Sequence, residues 1–266
     1  MSSNSNIHPT ALVSESASIA EDVIVEPFAI IGPDVTIGKG TVVKANAIIE
    51  GKTTIGQNNT IHSFAVIGGV PQDLKFRGEQ AELVIGDHNK IREYVTIHIG
   101  TEGGTMKTIV GSNNLFMASS HVAHDCIIGD HNVFANSCAL AGHVEIGDNA
   151  ILGGMTGVHQ FSCVGDYTMI GAGSMVGQDV PPFSIAQGDR CKLRGVNLVG
   201  LKRNGFSGED SSKIKRAWRS LFLASGKTAE KLEALPEELR GNPNVELLVS
   251  FLNRSISEGR GVCSPD

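Results

Sequence analysis

One apolar residue in every six constrains this chain more than any other feature of its sequence. Ile7, Val13, Ile19, Val25, Ile31, Ile37, Val43, Ile49, Ile55, Ile61 and Ile67 follow one another at that spacing. The register returns at Ile85, Ile91 and Ile97, and from Val110 it runs through Phe116, Val122 and Ile128 to Ile170 and Val176. A glycine often follows the apolar position, as in Ile31-Gly32 and Ile55-Gly56, and a small residue sits four places on, as at Ala11, Ala29 and Thr41. A period of six matches neither the 3.6 of a helix nor the alternation of a hairpin strand. It fits a short strand that buries one branched side chain, turns and repeats. Three such strands close a triangular coil of 18 residues, and coils stack as parallel sheets about 4.8 Å apart. About nine coils follow, a prism on the order of 45 Å long. Its narrow interior accounts for the 32 glycines, the single Trp and the 5% aromatic content of the 266 residues.

The pattern breaks twice, over 68–84 and over 98–109, and insertions at the corners of such a prism are natural places for binding residues. It ends at Val180-Pro181-Pro182. Residues 1–189 therefore read as the solenoid and 190–266 as a helical domain that caps its open end. Helices are expected over Gly208–Ser225, with Gly226 just past the end, and over Thr228–Leu235 and Val245–Asn253.

The net charge of -6 conceals an asymmetry. Residues 1–189 carry 8 Lys/Arg against 19 Asp/Glu, a balance of -11, whereas 190–266 carry 14 against 9, a balance of +5. A basic end on an acidic body points to an anionic partner or substrate rather than to nucleic acid. No stretch is apolar enough to span a membrane, and no basic segment followed by an apolar one marks a signal peptide, so a cytoplasmic location is expected. The five cysteines are odd in number and form no Cys-x-x-Cys, which argues for buried free thiols rather than a disulfide framework or zinc ribbon.

Histidines crowd one segment: His121, His124, His131, His143 and His159. Residues one coil apart stack, so His124 lies beneath Gly142 and two coils below Gln160, His143 lies over Asp125, and His159 over Ala141. A glycine above a histidine leaves a notch through which a ligand reaches the imidazole. His131, in an Asp-His-Asn turn, reads as solvated. The cluster suits a neutral His acting as general base beside an orienting carboxylate such as Asp125, or three His binding zinc at an open site.

Longer runs carry a resemblance. Pro71-Gln72-Asp73-Leu74-Lys75-Phe76, His121-Val122-Ala123-His124-Asp125-Cys126, Leu140-Ala141-Gly142-His143-Val144, Val158-His159-Gln160-Phe161 and Gly200-Leu201-Lys202-Arg203-Asn204-Gly205-Phe206 resemble the acyl-[acyl-carrier-protein]–UDP-N-acetylglucosamine O-acyltransferases, over essentially the whole chain. The resemblance implies a mainly β protein, a left-handed parallel β-helix of hexapeptide repeats with a C-terminal α-helical domain. It takes the hand of the coil from the family. It also implies the first step of lipid A biosynthesis: transfer of an (R)-3-hydroxyacyl chain from acyl carrier protein to UDP-N-acetylglucosamine by a homotrimer, with active sites between neighbouring β-helices and no cofactor or metal. By the same likeness His124 is the general base, Asp125 its support and the Gly142 N–H the oxyanion donor. Gln72, Asp73, Lys75, His121, His143, His159 and Gln160 then contact substrate, and Asn197 and Arg203 the nucleotide and its phosphates. The stretch from Met169 to Ala172 gauges the acyl chain.

The chain departs from the family pattern at Ile99, Val199 and Asn204, where Arg, Glu and Arg are usual. Three other readings compete. The sister N-acyltransferase carries an extra N-terminal uridine-binding domain, whereas here the hexads begin at Ile7. A γ-class carbonic anhydrase uses zinc and a His-x4-His pair, whereas His121 and His124 are separated by two residues. A non-catalytic β-helix scaffold has no need of His124 beneath Gly142.

Overall fold

The computed structural model describes residues 6–266, so residues 1–5 of the expected solenoid lie outside the described residues. Short strands, parallel up to a terminal hairpin, assemble into three sheets of eleven, nine and eight strands, and through the solenoid each strand pairs with the third one before and after it in the chain. Pairing joins residues one coil apart, as in Asn6 with Ile24, Leu12 with Ile30 and Ser18 with Thr36. Strands of two residues suffice because each alternates one outward and one inward side chain. The inward column of Val25, Ile31, Ile37, Val43, Ile49 and Ile55 is buried, and so is its continuation through Phe116 and Phe134. Those two rings stack 4.6 Å apart on the axis of the prism.

At the corner between the third and first sheets the chain stacks polar side chains instead. Asn89, Asn114 and Asn132 each give a backbone N–H to the Oδ1 of the Asn one coil before, at 2.8, 2.9 and 2.8 Å. Outside them Ser112, Asp130 and Asp148 each give a backbone N–H to the Oδ1 of the Asp one coil later, at 2.6, 2.7 and 2.9 Å. His131 lies exposed at this corner.

The two insertions are shorter than the stretches over which the hexad fails. Strands reach Gly69 and resume at Glu82, then reach His98 and resume at Lys107. The projecting loops are thus 70–81 and 99–106, inside the expected 68–84 and 98–109. Backbone pairing needs no apolar residue in register, so the ladder outruns the pattern. Glu82 pairs with Lys52 below and Lys107 above, which closes both loops back onto the third sheet.

A hairpin of Ser184–Gln187 and Lys192–Val196, the only antiparallel pair among the described residues, ends the first sheet. Four helices follow: α1 (Leu198–Arg203), α2 (Gly208–Phe222), α3 (Thr228–Glu233) and α4 (Pro243–Ser257). Helix α2 buries Ile214, Ala217, Trp218, Leu221 and Phe222, and Trp218 Nε1 donates to Ser184 Oγ on the hairpin at 2.9 Å. It stops at Phe222 rather than Ser225. Leu223 is 57% exposed and has no apolar surface to cover, and Gly226 sits at φ +111 in the turn towards α3 rather than directly after the helix. Helix α3 ends at Glu233, just short of the expected Leu235, ahead of Pro236. Helix α4 outruns its expected bounds at both ends, starting at Pro243 beneath an Asn242 cap. It is fastened to the prism by Arg254, bidentate to Glu145 at 2.6 Å on both arms, and by Ser255 Oγ donating to the buried Asp179 at 2.6 Å. No helix of the described residues is long and apolar enough to cross a membrane.

Candidate active site

A cleft of about 1250 Å³ runs along the second sheet and its corner with the third. Gln72, Asp73 and Lys75 enter it from loop 70–81. His121, His124, Gly142, His143, His159 and Gln160 line its floor, and Cys191 and Cys263 close its far end. The prism places the floor residues directly. Successive coils present His124, Gly142 and Gln160 at the same corner position, and the next position carries Asp125, His143 and Phe161, all at φ near +60. That conformation turns the second column outward, so the rings of His143 and Phe161 stack 4.4 Å apart.

His124 Nδ1 faces Asp125 Oδ2 at 2.8 Å. A carboxylate only accepts, so Nδ1 carries the hydrogen, and in the neutral ring the lone pair is on Nε2. The notch above it is real: a Cβ on Gly142 would stand 2.5 Å from Cε1 and 2.7 Å from Nε2 of His124. Among the described residues no acceptor meets the Gly142 N–H, which leaves a backbone donor beside the basic nitrogen. An imidazole and a donor so arranged can take a proton from one atom and stabilise negative charge on another.

Burial disfavours the charged form of three imidazoles in and beside the floor. Burial pushes the His98 imidazole down to about 4, with His121 and His124 adding repulsion. Burial likewise lowers His121 and His143. For Asp125 burial alone favours the acid, but hydrogen bonds from Thr101, His124 and Thr105 outweigh it and hold the carboxyl below its ordinary range. The cysteine thiols stay free, and burial raises Cys126 and Cys138 to about 12.

Several contacts escaped the sequence reading. His98 packs edge-on to His121, centroids 4.8 Å apart, and Thr96 Oγ1 meets His121 Nδ1 at 2.7 Å. Arg260, from the C-terminal segment, brings its guanidinium to within 3.0 Å of His159 Nδ1. Thr101 and Thr105 hold Asp125 from loop 99–106. Only His98 had a visible signal, as a histidine at the edge of an interruption.

Four expected residues lie elsewhere on this chain. Met169 is in a strand of the first sheet, between Ile151 and Ile185, and Ala172 is exposed at the next corner. Asn197 caps α1, accepting from Gly200 N at 2.9 Å and donating to Tyr167 O at 2.9 Å, and Arg203 ends the same helix. These positions belong to the first sheet and its two corners, whereas His124 sits at the corner opposite that sheet.

His124, Asp125 and His143 each offer one metal-ligating atom, all within 4.8 Å of one another. Both Asp125 oxygens are already engaged, one by Thr101 and His124 and the other by backbone N–H groups. His124 Nδ1 is spent on the same carboxylate. The set is satisfied without a cation.

Known proteins share this chain's sequence and fold. The model of the UDP-N-acetylglucosamine O-acyltransferase second domain matches residues 179–263, and the bacterial transferase hexapeptide model matches 16–51, 34–69 and 107–142. The acyl-[acyl-carrier-protein]–UDP-N-acetylglucosamine O-acyltransferase of Aliarcobacter butzleri is 47% identical over 257 residues, 97% of either chain. The enzyme of the same name from Myxococcus xanthus is 50% identical over 188 residues, 71% of this chain and 73% of its own. The solved structure of LpxA from Acinetobacter baumannii superposes with a TM-score of 0.93 at 42% identity, covering 97% of this chain and 99% of that one. The prism is therefore a left-handed parallel β-helix, and the chain belongs to the acyl-[acyl-carrier-protein]–UDP-N-acetylglucosamine O-acyltransferase family.

Proposed function

We propose that this O-acyltransferase moves an (R)-3-hydroxyacyl chain from acyl carrier protein to the glucosamine 3-hydroxyl of UDP-N-acetylglucosamine, opening lipid A synthesis, with His124 as general base. The observation that carries the mechanism is the alignment of Asp125, His124 and the unpaired Gly142 N–H. His124 Nε2 takes the hydroxyl proton while the oxygen attacks the thioester carbonyl. The carbonyl oxygen gathers negative charge against the Gly142 N–H. As the C–O bond completes, the C–S bond breaks and the thiolate leaves on the carrier, taking the proton from His124. Asp125 fixes the ring and offsets its transient positive charge.

The remaining residues fit a division of labour. Lys75, His143, His159 and Gln160 surround the acceptor sugar and acyl head in the cleft. Asn197 and Arg203 serve the nucleotide and Met169 and Ala172 gauge the acyl chain, on faces that meet His124 only when a second copy packs against the cleft. A homotrimer is consistent with the apolar residues left bare along the corner between the first and second sheets: Phe28, Phe64, Tyr94 and Met155 are 60, 48, 59 and 67% exposed. The acidic carrier suits the basic C-terminal domain, where Lys215 and Arg219 border a groove of about 530 Å³. Free thiols accord with a cytoplasmic enzyme.

The deciding experiment follows acyl transfer from 3-hydroxyacyl carrier protein to UDP-N-acetylglucosamine by the wild type and His124→Ala. A loss of about 10²–10⁴-fold in kcat is expected. Undiminished turnover sinks the base. Activity lost to a chelator and restored by zinc would favour the metal chemistry instead.

A further inference from the structure

We propose that loop 99–106 is a positioning device for the reaction, a clamp that holds the Asp125 carboxylate against His124, and that Thr101 and Thr105 are its working residues. The inference rests on His124 being the base.

The clamp is visible as a census of donors. Thr101 Oγ1 gives its hydrogen to Asp125 Oδ2 at 2.6 Å, and the Thr101 and Thr105 backbone N–H groups reach Oδ1 at 3.2 and 2.8 Å. The Thr105 hydroxyl has one hydrogen and spends it on the Lys107 carbonyl at 2.8 Å, so Thr105 acts through its backbone. With His124 Nδ1 at 2.8 Å, four donors meet one carboxylate that is 3% exposed. Three of the four come from the loop. The approach is close enough that a Cβ on Gly104 would overlap the carboxylate, so only glycine lets the loop close over it. Below, the Thr108 hydroxyl accepts the Asp125 backbone N–H at 2.8 Å.

The other insertion braces this one. Glu79 of loop 70–81 accepts the Glu102 N–H at 3.1 Å, and the ladder bonds from Ile99 N to Gly69 O (3.2 Å) and Gly100 N to Glu82 O (3.1 Å) fix the loop's entry. Two breaks in the hexad thus converge on one catalytic hydrogen bond. Ionisable neighbours of the carboxylate are His124 and His143 on its own corner and the Cys126 thiol behind it. Asp73 and Lys75 of loop 70–81 reach as far as His143. Without the clamp, a buried carboxylate would take up a proton and lose its hold on the imidazole.

Thr101→Val, Thr101→Ser, Asp125→Asn, His124→Ala and the double variant Thr101→Val/Asp125→Asn test this by steady-state kinetics across pH on the full-length enzyme. Asn tolerates the φ of +58 at position 125, so Asp125→Asn removes charge without moving the backbone. Thr101→Val is expected to lower kcat about tenfold to a hundredfold, with KM within about twofold. Its acid limb should move to higher pH, because the carboxylate has lost a donor. Thr101→Ser keeps the hydroxyl and should stay within about threefold of wild type. In the Asp125→Asn background Thr101→Val should cost nothing further. A Thr101→Val enzyme with wild-type kcat and acid limb overturns the clamp, and so does a full additional loss in the double variant. Should His124→Ala abolish activity in either of those cases, the base stands and the clamp alone falls. Undiminished activity of His124→Ala overturns the base, and the clamp with it.

Discussion

The corner between the third and first sheets and the corner between the second and third are built on one backbone. Each places a non-glycine residue at φ near +60 in coil after coil: Asn113, His131 and Asn149 at the former, Asp125, His143 and Phe161 at the latter. At the former the Asn and Asp side-chain oxygens are used by neighbouring coils. Asn Oδ1 atoms take N–H groups one coil on, and Asp Oδ1 atoms take them one coil back. At the latter the ladder lapses. The Gly142 N–H meets no acceptor among the described residues, His98 Nδ1 is buried without a partner, and the Asp125 carboxylate is served from an inserted loop. Polar groups that neighbours satisfy give stability, and polar groups left for a ligand give chemistry. The comparison locates the site by what the ladder fails to do.

Matched substitutions break or sharpen that contrast. The largest effect is expected from Gly142→Ala, whose new methyl would displace the His124 ring. A drop of about 10²–10³-fold in kcat is expected, with a melting temperature close to wild type because a side chain can swing aside. Gly129→Ala at the other corner should invert the pattern. Its methyl would stand 2.9 Å from the Gly147 carbonyl oxygen, so the melting temperature falls while kcat measured well below melting is retained. Next in size, Asn114→Ala removes the buried acceptor of the Asn132 N–H (2.8 Å) and the part-buried donor to the Gly129 carbonyl (3.0 Å). Denaturant titration should register a loss of about 2–4 kcal/mol with kcat unchanged. Equal losses of activity in the two glycine variants would end the distinction between the corners.

The smallest effect concerns the last rung of the aspartate ladder. Burial, with repulsion from Asp148 added, raises the Asp166 carboxyl above its ordinary value. A carboxyl whose folded pKa lies above the unfolded one favours folding fully below the unfolded pKa, and that benefit is lost as pH rises through the folded value. Asp166→Asn keeps the oxygen that accepts the Asp148 N–H and removes the charge. It should raise the melting temperature by about 1–3 °C at neutral pH and leave it unchanged near pH 3.

Much of this molecule is legible in its sequence, for a physical reason. A solenoid converts sequence separation into distance, so the spacing of Ile37, Ile55 and Ile85 names the core, and the spacing of His124 and Gly142 names the notch. The reasoning stops where the chain leaves the lattice. Thr101, Thr105 and Gly104 lie on a loop whose path no period dictates, and Arg260 reaches His159 from a segment after the last helix. Asn197 and Met169 could be assigned through the family alone, because nothing in the spacing relates their faces to the cleft. Helix α2 kept its buried face but not its end, since burial sets the face and only local contacts set the last turn.

The stack of coils also decides what mutation can and cannot do to the reaction. The interval from His124 to the Gly142 N–H is set by the same backbone hydrogen bonds that hold every coil to the next, such as the His143 N–H on the His124 carbonyl at 3.0 Å. Imidazole and donor are thus spaced like planes in a crystal. Substitution can delete either group, yet it has no means of sliding one a little nearer the other. Catalysis on such a frame is tuned from outside, by loops laid against a spacing that was never adjustable.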